Sequence, residues 1–323
     1  MSLMVIINDW VGFPSALRRN LVDSQEWGVD VSDDVLLKRN DHVESFESTV
    51  STTDDIDSVC TTNLFHTIRD LGVRTVLLGE VPWHWRRCNS TMLPIVHSDT
   101  ARLPDPRDDL KGCGVDWCSL YEHPNVRMGT AEAYDEDLCD QACKVVREID
   151  RSTNTLLWVN LSSFDDLRRI RVSSRLPDDA VDDGVHSVCV PPPPPAIPSR
   201  QLPSNVLTRL DGISDPSIRH PEHEYATLLD AAANILQRHE VRVRRVVNCA
   251  LERDAIVTYT ATHALSIGEH AVRGGDAPLR SCCETFWICS KAGASDGPVW
   301  CIRDRVHRLV ASVITSFPLV SPL

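Results

Sequence analysis

Thr155-Leu156-Leu157-Trp158-Val159-Asn160-Leu161 is a near-continuous apolar run. A strand apolar on both faces is buried on both, as a central strand is in a parallel sheet covered by helices. Residues 131–150 directly before it carry the pattern of a long helix, so the two together form one helix-then-strand unit. Working outward, Asn63 to Leu71 places apolar residues at helical spacing, Gly72 closes the helix, and Arg74 to Leu78 reads as a strand ending at Gly79. Beyond the central run, His223 to His239 carries Tyr225, Leu228, Leu229, Ala232, Ile235 and Leu236, an amphipathic helix. Ala255 to Thr260 follows as a further strand. At the other end of the chain, Leu3 to Ile7 is a short β-branched run that ends in Asn8-Asp9. The repeated order predicts an α/β fold with a large, mostly parallel sheet between helices.

The segments between are less regular. Residues 23–57 are rich in Asp, Glu, Ser and Thr and read as loop with a helix or short strands embedded. Pro191 to Pro195 is a five-proline run, extended and unable to enter a sheet interior, so it predicts a surface connection. There is no internal repeat. A division into residues 1–295, one α/β domain, and residues 296–323, a C-terminal helix and tail, follows.

The chain has 323 residues, 42% of them hydrophobic and 24% charged, enough for a substantial core. Its formal net charge of −13 repels polyphosphate backbones, so no nucleic-acid partner is expected. No stretch reaches the ~20 apolar residues of a membrane span, and Leu309 to Val320 is too short. Met1 to Ile7 lacks the basic start of a secretory signal, so the expected location is cytoplasmic, without membrane partners. The twelve cysteines contain no C-x-x-C pair, and most read as buried thiols.

Active sites of parallel sheets gather at the carboxyl ends of strands. Two such ends are polar here: Asn8-Asp9 after the first strand, and His263, Glu269 and His270 after the last. Oxygen and imidazole donors converging there suit a divalent ion, and the same residues also suit a solvated loop.

The stretch Tyr259-Thr260-Ala261-Thr262-His263-Ala264-Leu265-Ser266-Ile267-Gly268-Glu269-His270-Ala271-Val272-Arg273-Gly274-Gly275-Asp276-Ala277-Pro278 resembles a sulfatase segment. In that segment a strand ends in Ser-Asp-His or Ser-Asp-Asn, and Gly-Glu-His and a basic residue follow. Val5-Ile6-Ile7-Asn8-Asp9 is similar to the family's first strand with its Asp-Asp metal pair, and Leu64 to Gly79 to its next helix and strand. The resemblance is ordered and covers about residues 3 to 290. It implies the alkaline phosphatase-like fold, with Ca²⁺ or Mg²⁺ at the strand ends.

By that resemblance the metal residues are Asn8, Asp9, Thr262 and His263, and Arg273 grips the anionic ester. An amide and a hydroxyl replace two carboxylates of the family, so the ion is expected weakly if at all. The family's nucleophile lies in a Cys/Ser-x-Pro-x-Arg motif. The corresponding Ser45 to Thr53 has no cysteine, proline or arginine, which leaves hydroxyls such as Thr49 and Ser51. Glu80 stands where the family has a lysine, and His84 lies near the place of its histidine. The implied function is a sulfatase-like hydrolase of sulfuric or phosphoric esters, on an anionic small molecule or glycan, with weakened or lost activity. The alternative is a catalytically inactive sulfatase-fold binding or interaction protein.

Overall fold

The computed structural model describes residues 3–10, 12, 14–37, 46, 48–52, 63–79, 117–120, 131–163, 222–264, 266–267, 273–274, 284–292 and 301–315. The strands are β1 (Leu3–Asp9), β2 (Asp30–Leu36), β3 (Arg74–Gly79), β4 (Trp117–Leu120), β5 (Thr155–Leu161), β6 (Ile256–Ala261), β7 (Ser266–Ile267), β8 (Arg273–Gly274) and β9 (Glu284–Cys289). The helices are α1 (Ser15–Ser24), α2 (Leu64–Asp70), α3 (Ala131–Glu148), α4 (Glu222–Leu251) and α5 (Ile302–Ile314).

Seven strands form one sheet in the order β2-β9-β6-β1-β5-β3-β4, and β7 and β8 make a separate two-stranded ribbon. β1 lies at the centre, parallel to β5 on one side and β6 on the other; β3 is parallel to β5, and β4 to β3. β9 runs antiparallel to both β6 and β2, so it is the one reversed strand among those described. All seven residues of β1 and of β5 are buried, as their apolar runs require of central strands.

Two helices lie side by side on this sheet, α3 on β5 and β3, α4 on β6 and β1. Their contacts climb both helices together. Glu136 receives Arg242 and Arg245 at 2.8 Å each, Asp140 pairs with Arg245 at 3.1 Å, and Arg253 reaches the Ile149 carbonyl at 2.7 Å, so the two helices run parallel. An aromatic cluster is built around Trp158, whose ring meets Phe46 and Phe65 edge-on at 5.7 Å each.

Two sequence expectations change. Within residues 23–57 the embedded elements are strand β2 (Asp30–Leu36) and a helical piece at residues 46 and 48–50. The apolar pattern of β2 is broken because, among the described strands, it pairs with β9 alone, leaving Val31 and Leu36 exposed. α4 does not stop at His239 but runs to Leu251: Val243, Val246, Val247 and Ala250 continue the buried stripe, with Arg238 and Arg244 exposed. β9 was not anticipated. The helix expected in the C-terminal stretch is α5. The polyproline run, Glu80, His84, Glu269 and His270 lie outside the described residues. Among the described residues no helix is long and apolar enough to cross a membrane.

Candidate functional site at the carboxyl edge of the sheet

Because β1, β5 and β6 are parallel, their carboxyl ends share one edge, and residues far apart in the chain meet there. Asn8 is in register with Asn160 and Thr260, and Asp9 with Leu161 and Ala261. The edge is sewn by backbone bonds: Trp10 N–H to the Leu161 carbonyl (2.7 Å), Thr262 N–H to that of Asp9 (3.2 Å) and Gly12 N–H to that of His263 (2.6 Å). Gly12 is needed there, since a Cβ would lie 2.5 Å from the His263 carbonyl oxygen.

Successive side chains of a strand point to opposite faces, and this alternation separates Asn8 from Asp9. On one face, Asn8 Nδ2 donates to Asn160 Oδ1 (2.8 Å) and to Thr262 Oγ1 (3.2 Å), and Trp158 Nε1 donates to the same Asn160 oxygen (2.7 Å). On the other face, under α3 and α4, Asp9 accepts from Tyr259 OH at Oδ2 (2.7 Å) and meets His239 Nε2 at Oδ1 (2.8 Å). The chain of polar groups continues: His239 Nδ1 lies 3.1 Å from Ser163 Oγ, and Ser163 Oγ makes a close contact with Asp135. Asp135 also accepts the backbone N–H groups of Ser162 and Ser163. Asp9, Asp135, Ser163, His239 and Tyr259 are all buried.

The protonation pattern follows from this geometry. Burial pulls the His239 pKa down, but the Asp9 carboxylate, aided by Asp135, outweighs it and holds the imidazole above its ordinary value. In the protonated state Nε2 faces Asp9 Oδ1 at 2.8 Å and Nδ1 faces Ser163 Oγ at 3.1 Å, and the Ser163 hydroxyl donates to Asp135. Burial pushes Asp135 up to about 6, against the pull of His239, Ser163 and the Ser162 amide. Burial, reinforced by Asp9, carries Tyr259 well above its usual range, so its phenol remains a donor.

The structure brings Asn8, Thr262 and Asp9 to one edge, but not to one point. Asn8 and Thr262 share a face, and both Asp9 oxygens are committed on the other. His263 is buried, with its carbonyl held by Gly12. Asn8 Oδ1 is buried without a hydrogen-bond partner, a single neutral donor. Among the described residues no three His, Cys, Asp or Glu side chains are grouped to hold a metal ion. As a donor set for a hard divalent ion these residues do not fit: the one carboxylate is already neutralised by an imidazole and a phenol.

Thr49 and Ser51 are both buried. The Thr49 carbonyl accepts from His307 Nε2 (3.0 Å), and Ser51 forms an antiparallel bridge with Asn63. Their segment reaches the edge through Phe46, whose ring lies 5.3 Å from that of Trp10. Arg273 is paired through its backbone with Ile267 in the β7–β8 ribbon. Sequence reasoning missed Asp135, Ser163, His239 and Tyr259. One signal was available: His239 continues the apolar stripe Ala232-Ile235-Leu236 at helical spacing, which marks a buried histidine in need of partners.

No family model matches the sequence, and no curated protein matches it. Solved structures do. The glycosaminoglycan 2-O-sulfatase BT1596 superposes with a TM-score of 0.62 at 10% identity, covering 99% of this chain and 71% of its own. The C-terminal periplasmic domain of EcEptC from Escherichia coli, in complex with Zn, gives 0.56 at 12% identity, covering 95% and 80%. BT4656, in complex with its substrate D-glucosamine-2-N,6-O-disulfate, gives 0.56 at 11%, covering 94% and 74%. With its large, mostly parallel sheet and helices, the chain shares the alkaline phosphatase-like fold with the sulfatase BT1596, with BT4656 and with EcEptC.

Proposed function

We propose that this chain is a sulfatase-like protein that engages an anionic sulfuric or phosphoric ester of a small molecule or glycan at the carboxyl edge of its sheet, with metal-dependent turnover weakened or lost. The observation that carries this reading is the double commitment of Asp9 to His239 and Tyr259. A bound Ca²⁺ or Mg²⁺ would have to displace an imidazolium and a phenol from a buried carboxylate, and would gain only Asn8, Thr262 and His263 in addition. Thr49 and Ser51 are the hydroxyls nearest in the chain to the family's nucleophile, and Arg273 supplies the cation for the ester. No nucleic acid or membrane enters this reading.

Titration calorimetry with Ca²⁺, Mg²⁺, Mn²⁺ and Zn²⁺, paired with turnover of aryl sulfate and aryl phosphate, tests it. The expected result is no heat of binding at millimolar Ca²⁺ or Mg²⁺ and no metal-stimulated turnover, with retained affinity for a sulfated sugar that Arg273→Ala weakens. Metal-stimulated turnover that Asp9→Ala abolishes would establish the hydrolase instead. That second reading has its own support in the meeting of residues 8–9 and 262–263 at one edge.

A further inference from the structure

The parallel pair α3 and α4 holds a feature unrelated to ester chemistry. Cys143 on α3 and Cys249 on α4 face each other across the helix interface, both as free thiols and both nearly buried. The Cys143 Sγ lies 3.7 Å from the Arg245 carbonyl, and the Cys249 thiol beside it contributes to raising its pKa. From the next turn of α3, Arg147 Nη2 reaches the Cys249 sulfur at 3.3 Å, which sets a guanidinium against it. The two thiols are not equivalent in access. Cys249 lines a surface groove of about 440 Å³ along α4, together with Gln237, Glu240, Arg244, Arg245 and Asn248, whereas Cys143 does not. Burial, and next the contact with Cys249, pushes the Cys143 thiol up to about 12, so Cys143 keeps its proton while its neighbour reacts.

We propose that Cys143 and Cys249 are a reversible dithiol, in which groove-facing Cys249 exchanges with a small-molecule disulfide and Cys143 resolves the product. The Cys249 sulfur, having lost its proton to solvent, attacks one sulfur of the disulfide. The S–S bond breaks, one small thiol leaves with a proton, and a mixed disulfide remains on Cys249. Cys143 then loses its proton and attacks the Cys249 sulfur, expelling the second small thiol. The balance is one small disulfide and two protein thiols converted into two small thiols and one Cys143–Cys249 bond. That bond clamps α3 to α4, the helices that carry Asp135 and His239.

The test uses the full chain and glutathione disulfide. After incubation at a rising ratio of oxidised to reduced glutathione, peptide mapping of the wild type should show a Cys143–Cys249 crosslink and no retained glutathione on either residue. Cys143→Ser should trap a glutathione adduct on Cys249, and Cys249→Ser should leave Cys143 unmodified. The crosslinked protein should melt about 5 °C higher than the reduced one, with dithiothreitol reversing the shift. Both thiols remaining free in the wild type under excess glutathione disulfide, or Cys143 taking the adduct in Cys249→Ser, would overturn the assignment. Far-ultraviolet circular dichroism establishes that each reduced variant is folded, and Cys143→Ala and Cys249→Ala take the place of any serine variant that is not.

Discussion

Asp9 carries more of the site than any other side chain, because two buried donors depend on it. Asp9→Ala leaves His239 and Tyr259 without their partner in the protein interior, and removal of one member of such a buried charged pair costs about 3–5 kcal/mol. Urea unfolding should show that loss, whereas Asn8→Ala, which removes neutral bonds and an oxygen already unpartnered, should cost less. The sign of the pH dependence follows from the same cluster. The folded-state pKa of His239 lies above its ordinary 6.5, so its stabilisation is full below that value and is lost as pH rises through the raised one. Asp135 acts in the same sense one step lower. Raised from 3.8 to about 6, it binds its proton more tightly in the folded state, so stability declines as pH rises across that interval. Asp135→Asn should flatten the denaturation midpoint between pH 4 and 6 relative to wild type, and His239→Gln should reduce the stability difference measured above pH 6.5. An unchanged profile in both variants would mean that the cluster is not charged as its geometry indicates.

At the scale of elements, two glycines with positive φ separate backbone conformation from crowding. Gly72 (φ 79°) closes α2: Val73 N–H reaches the Ile68 carbonyl (3.1 Å) and Gly72 N–H that of Arg69 (2.8 Å), a Schellman motif with open space where a Cβ would go. Gly79 (φ 99°) ends β3 against β5, and a Cβ there would fall 2.1 Å from the Asn160 carbonyl oxygen. Gly72→Ala should therefore cost about 1–2 kcal/mol, the left-handed conformation alone. Gly79→Ala should cost clearly more, by urea unfolding, because β3 must move off the strand that carries Asn160. The helices and parallel strands were legible in the sequence because each buries a continuous stripe, as residues 155–161 and 131–148 show. β2 was not, since an edge strand with one neighbour needs no such pattern. The overrun of α4 past His239 was hidden by arginines at 238, 242, 244 and 245, of which 242 and 245 turn to Glu136 on α3.

For the molecule as a whole, the meeting of residues 8–9 and 262–263 at one edge was legible, and the partners of Asp9 were not. Spacing and resemblance brought Asn8, Asp9, Thr262 and His263 to one rim, which the parallel register produces. Spacing carries no information on which side of the sheet a carboxylate finds its counter-charge. The partner of Asp9 comes from the middle of a helix 230 residues later in the chain, and no local pattern ties Asp9 to it. The long reach is general in this topology. β1 is flanked by strands that end at residues 161 and 261. A chain cut after residue 254 would lack β6 and expose a long apolar strand edge, and its expected behaviour on expression is aggregation, measurable as loss from the soluble fraction.

The central place of β1 also orders events in time. Synthesis makes these seven residues well ahead of their second neighbour, which emerges only after about 250 more have been added. For that whole interval Leu3 to Ile7 has at least one side unmatched, so the centre of this sheet cannot be completed in chain order. The pairing of β1 with β6 therefore joins segments about 250 residues apart, the kind of non-local contact whose loop-closure entropy slows folding.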